Sequence, residues 1–131
     1  MSDTAAIPTE IRLHQASRSL EIAYDGGERY HLPCELLRVY SPSAEVRGHG
    51  PGQEVLQTGK RMVGITSIES VGNYALQFTF SDGHDSGIYS WSYLLELCRE
   101  QERLWEAYLA QISAAGASRD PSGPVLIARQ G

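Results

Sequence analysis

The sequence predicts an α+β fold: an antiparallel sheet of five or six strands packed against one long C-terminal helix, with one short helix between strands. Three observations carry this. Short runs alternate apolar with polar side chains, the period-two mark of half-buried strands. Glycine- and aspartate-rich turns separate those runs at hairpin distances. Near the C-terminus the period lengthens to three and four residues, as on one face of a helix.

Ile11-Arg12-Leu13 and Leu20-Glu21-Ile22-Ala23-Tyr24 are the first two alternating runs. Asp25-Gly26-Gly27 closes a hairpin into Arg29-Tyr30-His31-Leu32. Pro33 suits the first turn of a short helix from about Cys34 to Val39, because its missing N–H costs nothing there. Pro42 follows its end. Residues 41–61 break every periodicity with Ser41-Pro42-Ser43, Gly48-His49-Gly50-Pro51-Gly52 and Thr58-Gly59-Lys60. A loop of that length within a small domain is functional or disordered. Its stretch Gly48 to Gly59 is expected to be mobile, with Arg38 and Tyr40 ordered and partly exposed at its entry.

Strand pattern returns at Gly64–Val71, turns at Gly72-Asn73, and continues as Tyr74-Ala75-Leu76-Gln77-Phe78-Thr79-Phe80. Ser81-Asp82-Gly83-His84 turns the chain into Gly87-Ile88-Tyr89. Ser90 fits a helix N-cap. The helix it opens runs to about Ala115, with Trp91, Leu94, Leu95, Cys98, Trp105, Tyr108, Leu109 and Ile112 on its apolar stripe. At ~1.5 Å per residue it spans nearly 40 Å. The organisation is therefore a flexible arm over 1–10, one domain over 11–115 and a disordered tail over 116–131.

The chain has 131 residues, consistent with one domain, and a net charge of −5, which excludes a nucleic-acid partner held by phosphate contacts. It shows no membrane span and no secretory leader, and its two cysteines form no CxxC pair, so a cytoplasmic, reduced protein is expected. Cys34 and Cys98 are read as small buried hydrophobes, Cys34 being the more reactive because it opens a helix.

Catalytic motifs are missing. Thr58-Gly59-Lys60-Arg61 lacks both the upstream glycine and the Ser or Thr of a phosphate loop. Asp82, His84 and Asp85 could form an acid/base pair, although turn residues of these types more often bond the local backbone. His14 and His31 lie on strand faces, and His49 sits between two glycines of the long loop. Four scattered histidines do not match the short spacings of preformed metal sites.

Two long stretches are distinctive: Leu37-Arg38-Val39-Tyr40-Ser41-Pro42-Ser43-Ala44-Glu45-Val46-Arg47-Gly48-His49-Gly50, and Val71-Gly72-Asn73-Tyr74-Ala75-Leu76 leading into Phe80-Ser81-Asp82-Gly83-His84-Asp85-Ser86-Gly87-Ile88-Tyr89-Ser90-Trp91. Together they resemble the gamma-butyrobetaine hydroxylase-like N-terminal domain family, over about Glu10 to Leu109. That resemblance implies a domain of unknown function in stand-alone form. In the hydroxylases a separate 2-oxoglutarate- and iron-dependent domain does the chemistry, and in some plant members a similar domain joins an ATPase of iron–sulfur handling. It also implies a zinc site of Cys-x-Cys-x-x-Cys plus a later His. Ser41, Ser43 and Val46 stand at the cysteine positions and His84 at the histidine, so no metal is expected.

The leading expectation is a non-catalytic module that binds a protein partner, not nucleic acid or membrane, and needs no cofactor. Its surface would comprise Arg38, Tyr40, Ser41, Ser43, Arg47, His49, Asp82 and His84. The alternatives are a zinc- or iron-binding accessory protein in iron or iron–sulfur handling, and an enzyme using Asp82, His84 and His49.

Overall fold

The computed structural model describes residues 6–48 and 50–121. Three strands come first: β1 (Glu10–His14), β2 (Ser19–Ala23) and β3 (Arg29–Pro33). They form an antiparallel sheet in the order β1-β2-β3. In its register Leu13 faces Leu20, which faces Leu32, and Ile11 faces Ile22. One face is therefore apolar and buries Leu20, Ile22 and Leu32 completely. The other carries Arg12, His14, Glu21, Arg29 and His31, as strict alternation demands. Pro33 ends β3 and caps α1 (Cys34–Val39) instead of lying inside it.

The loop after α1 holds a four-residue helix, α2 (Ala44–Arg47), whose N-cap Ser43 accepts a hydrogen bond from the Glu45 N–H. The remaining strands are β4 (Ile65–Val71), β5 (Ala75–Phe80) and β6 (Ile88–Ser90), again antiparallel in sequence order. A register shift between Ile65 and Ser67 lets Ile65 and Ile68, three residues apart, oppose Phe80 and Phe78 on the same face. Tyr74 precedes β5 and is exposed, so the apolar row on that strand is Leu76, Phe78 and Phe80.

The single sheet of five or six strands expected from the sequence is thus two sheets of three strands. Each alternating run builds only its own hairpins, and the main core fills the space between the two sheets and α3 (Trp91–Ala114). Ser90 caps α3 by accepting from the Tyr93 N–H. Its deepest residues are Leu94, Leu97 and Cys98, with Tyr108 and Ile112 in a second cluster around Val39. Trp91, Leu95 and Trp105 are only half-buried against this core, and Leu109 is exposed.

Neither end behaves as a loose arm throughout. Glu10 opens β1, and the Thr9 N–H donates to the Ala23 carbonyl. After α3 the chain folds back, so that the Gly59 and Arg61 N–H groups donate to the carbonyls of Ser118 and Arg119, both at 2.9 Å. Arg119 makes a two-pronged pair with buried Glu35, at 2.8 Å on each oxygen, and lies over the Trp105 ring. Residues 117–120 of the tail expected to be disordered are thus hydrogen-bonded to α3, the loop and Glu35. Residues 1–5 and 122–131 lie outside the described residues.

Candidate functional site

The two distinctive sequence stretches meet in space. The chain leaving α1 passes beside the β5–β6 turn, and this brings Ser41, Ser43 and Glu45 to His84 and Ser86. Ser41 Oγ lies 2.8 Å from His84 Nε2, and Glu45 Oε1 lies 3.0 Å from His84 Nδ1. A carboxylate offers only acceptors, so Nδ1–H donates to Glu45, and whenever the ring carries no second proton Nε2 accepts from the Ser41 hydroxyl. Ser41 Oγ in turn accepts the Ser43 N–H at 3.2 Å, and Ser43 Oγ is 2.7 Å from Ser86 Oγ. Gly87 is required here: a Cβ at that position would come within 2.4 Å of Ser41 Oγ.

Serine, histidine and carboxylate thus stand in the order of a hydrolytic triad. Access decides against that use. Ser41 is 1% exposed and the His84 side chain 3%, while the Glu45 side chain is 70% exposed, the reverse of an open nucleophile on a buried orienting acid. The arrangement is a hydrogen-bonded clasp between two segments.

Next to it Arg38 is buried, contrary to the partial exposure expected. Its Nε donates to Asp82 Oδ2 at 2.9 Å and its Nη1 to Gln57 Oε1 at 3.0 Å. Lys60 reaches the same Asp82 oxygen at 2.6 Å, and the His84 N–H donates to Asp82 Oδ1. Burial pushes the Asp82 carboxyl up, but the Lys60, His84 and Arg38 contacts outweigh it and hold it at about 2. Asp82 meets the backbone of His84, not its ring, so these residues form no acid/base pair. His49 falls outside the described residues. Cys34 is fully buried, as the reading of a small buried hydrophobe expects, and burial pushes its thiol up to about 11, against the reactivity a helix-opening position would favour.

A cavity of about 680 Å³ opens between the 41–61 loop, α1 and α3. Val46, Val55 and Leu56 give it apolar walls, and Tyr40, Tyr93 and Tyr108 line the helical side. The Tyr93 hydroxyl donates to the Tyr40 carbonyl and the Tyr108 hydroxyl to the Gln57 carbonyl, both at 2.6 Å, so the ring positions are fixed. The Arg47 guanidinium lies 4.8 Å over the Tyr93 ring centre. Gly48, at φ +74°, makes the turn out of α2; any side chain there would collide with the Gln53 carbonyl. The Val55 N–H then donates to the Val46 carbonyl. Of the residues expected at a contact surface, Tyr40, Ser41 and Arg47 line this cavity, and Arg38, Ser43, Asp82 and His84 do not. The sequence places Tyr108 on the packing stripe of the helix, and it is indeed buried; Tyr93 lies off that stripe, so nothing in the spacing marks it.

The family model for the gamma-butyrobetaine hydroxylase-like N-terminal domain matches residues 11–95. The chain belongs to that family. Two solution NMR structures resemble this member of the family over nearly its whole length. One shares 48% identity over 97% of this chain and 100% of its own, with a TM-score of 0.80. The other shares 50% identity over 99% and 96%, with a TM-score of 0.77. A crystal structure of a DUF971-family protein of unknown function from Acidithiobacillus ferrooxidans is 39% identical over 69% of this chain and 90% of its own, with a TM-score of 0.57. Among curated proteins none matches.

The family resemblance raises a structural zinc site, and the donor set does not fit one. Ser41 and Ser43 offer neutral hydroxyls, Val46 offers nothing and is buried, and both His84 ring nitrogens face hydrogen-bond partners.

Proposed function

We propose that this domain is a non-catalytic interaction module, and that the cavity beneath the 41–61 loop takes an apolar side chain of a protein partner. The observation that supports it is the cavity itself: about 680 Å³ with apolar walls, a rigid tyrosine side and, among its lining residues, one cation, Arg47, and one carboxylate, Glu54. Arg47 makes no ion pair among the described residues, so a carboxylate beside the inserted side chain would complete the contact. A nucleic-acid partner is disfavoured by the net charge of −5. No helix among the described residues is long and apolar enough to cross a membrane. A cytoplasmic setting belongs to the same proposal, supported by two cysteines that are both free and buried.

The test uses the full chain as bait in a native lysate beside an Arg47→Ala bait. The expected result is one partner, recovered by the native bait and depleted with Arg47→Ala at an unchanged melting temperature. Equal recovery by both baits overturns the assignment of the surface.

The metal-binding reading at His84 is not favoured, because the clasp with Ser41 and Glu45 uses the histidine. Near-stoichiometric zinc or iron in the purified chain, lost in His84→Ala, would reverse that.

A further inference from the structure

The outer face of the first sheet brings together residues far apart in sequence. Glu21 sits on the central strand β2, directly opposite His31 on β3. His14 on β1 pairs with Ser19 and is therefore the diagonal neighbour of Glu21 on the same face. His14 Nε2 is 2.7 Å from Glu21 Oε1, and His31 Nε2 is 3.6 Å from that same oxygen. One donor atom from each residue lies within 4.8 Å of the other two. The other carboxylate oxygen accepts from Arg29, which leaves Oε1 turned toward the imidazoles.

We infer that His14, Glu21 and His31 form a binding site for a divalent transition-metal ion, zinc being the ion to test first. Two imidazoles and one carboxylate suit zinc, nickel and copper, whereas calcium and magnesium take oxygen donors throughout. Three ligands around a tetrahedral ion leave an open position, and the exposure fits: the Glu21 side chain is 13% exposed, His14 41% and His31 59%. The ion would replace the His14–Glu21 hydrogen bond, and small side-chain rotations bring the donors from their present separations to bonding distance. Arg29 and Arg12 on the same face oppose a second positive group, so the ion is held exchangeably and not as a structural staple. None of the three residues lines the loop cavity, so the site is independent of the proposed partner contact.

The experiment is calorimetric titration of zinc chloride into the tag-free full chain, followed by backbone NMR. Saturable binding of one ion per chain is expected, with shifts concentrated on β1, β2 and β3. His14→Ala and His31→Ala should each weaken binding by more than the roughly tenfold cost of losing an outer-shell partner. Both variants should remain folded without metal, with His14→Ala losing only the small contribution of its hydrogen bond to Glu21, and His84→Ala should bind zinc as the native chain does. An absence of saturable binding, or affinity unaltered in both the His14 and His31 variants, overturns the inference. So does loss of binding in His84→Ala with shifts around the β5–β6 turn.

Discussion

Asp82 joins three separate segments through one carboxylate: α1 by Arg38, the long loop by Lys60 and its own turn by the His84 N–H. Its folded-state pKa lies below the ordinary value, at about 2 against 3.8. The stability it contributes is therefore complete above its unfolded pKa and is lost as pH falls from about 4 through 2. In Asp82→Asn the melting temperature should start lower at neutral pH and fall less steeply over that acid range. Glu21, held near 2 by His14 and Arg29, supplies part of the slope that remains. Tyr24 is the converse case. Among the described residues its buried hydroxyl lacks a hydrogen-bond partner, although the Cys98 thiol, a weak bonder, lies nearby. Tyr24→Phe should leave stability unchanged or raise it by up to about 1 kcal/mol in chemical denaturation.

Along α3 the energetic weight sits on the smaller side chains. Leu97 is fully buried in the main core, whereas Trp91 and Trp105 are only partly buried against it. Leu97→Ala should cost about 3 kcal/mol through the cavity it leaves, and Trp91→Ala distinctly less. A larger loss at Trp91 than at Leu97 would contradict this placement. The helix, its Ser90 cap and the strand cores were legible because each rests on local spacing. Leu97 escaped because Trp91, Leu94 and Cys98 already fill the stripe beside it. Helix α2 escaped because its four residues, Ala44–Arg47, are too few to show a period. The division into two sheets was hidden for another reason: period-two alternation fixes which face of a strand is buried, and says nothing of which hairpin joins which.

For the molecule as a whole, α3 packs on both sheets, so neither three-stranded sheet keeps a covered core without it. The loop is tied as well as draped: its Val55, Gly59 and Arg61 N–H groups all donate to backbone carbonyls. Hydrogen exchange should protect those three amides while the amides of Gly50, Gly52 and Glu54 exchange freely; uniform fast exchange over 48–61 would show that the loop is undocked. Of the candidate site, the segments were legible as two motifs, and their residues do meet. What they form was not legible, since a clasp, a metal cage and a triad call on the same residue types, and only distance and access separate them. The pairing of His14 with His31 was likewise invisible, because it requires β2 to stand between them. Arg119→Ala leaves the buried Glu35 carboxylate unpaired and should cost about 2–3 kcal/mol, reduced by the partial exposure of the arginine.

That last contact joins two equilibria. Residues 118 and 119 hold the loop at Gly59 and Arg61, and the loop roofs the cavity, so a ligand that favours the docked loop would favour the seated tail by the same factor. Such a ligand would shield a peptide bond it never touches. Trypsin should cut after Arg119 more slowly once the cavity is filled, and a chain shortened to Gly116 should bind the same ligand less tightly.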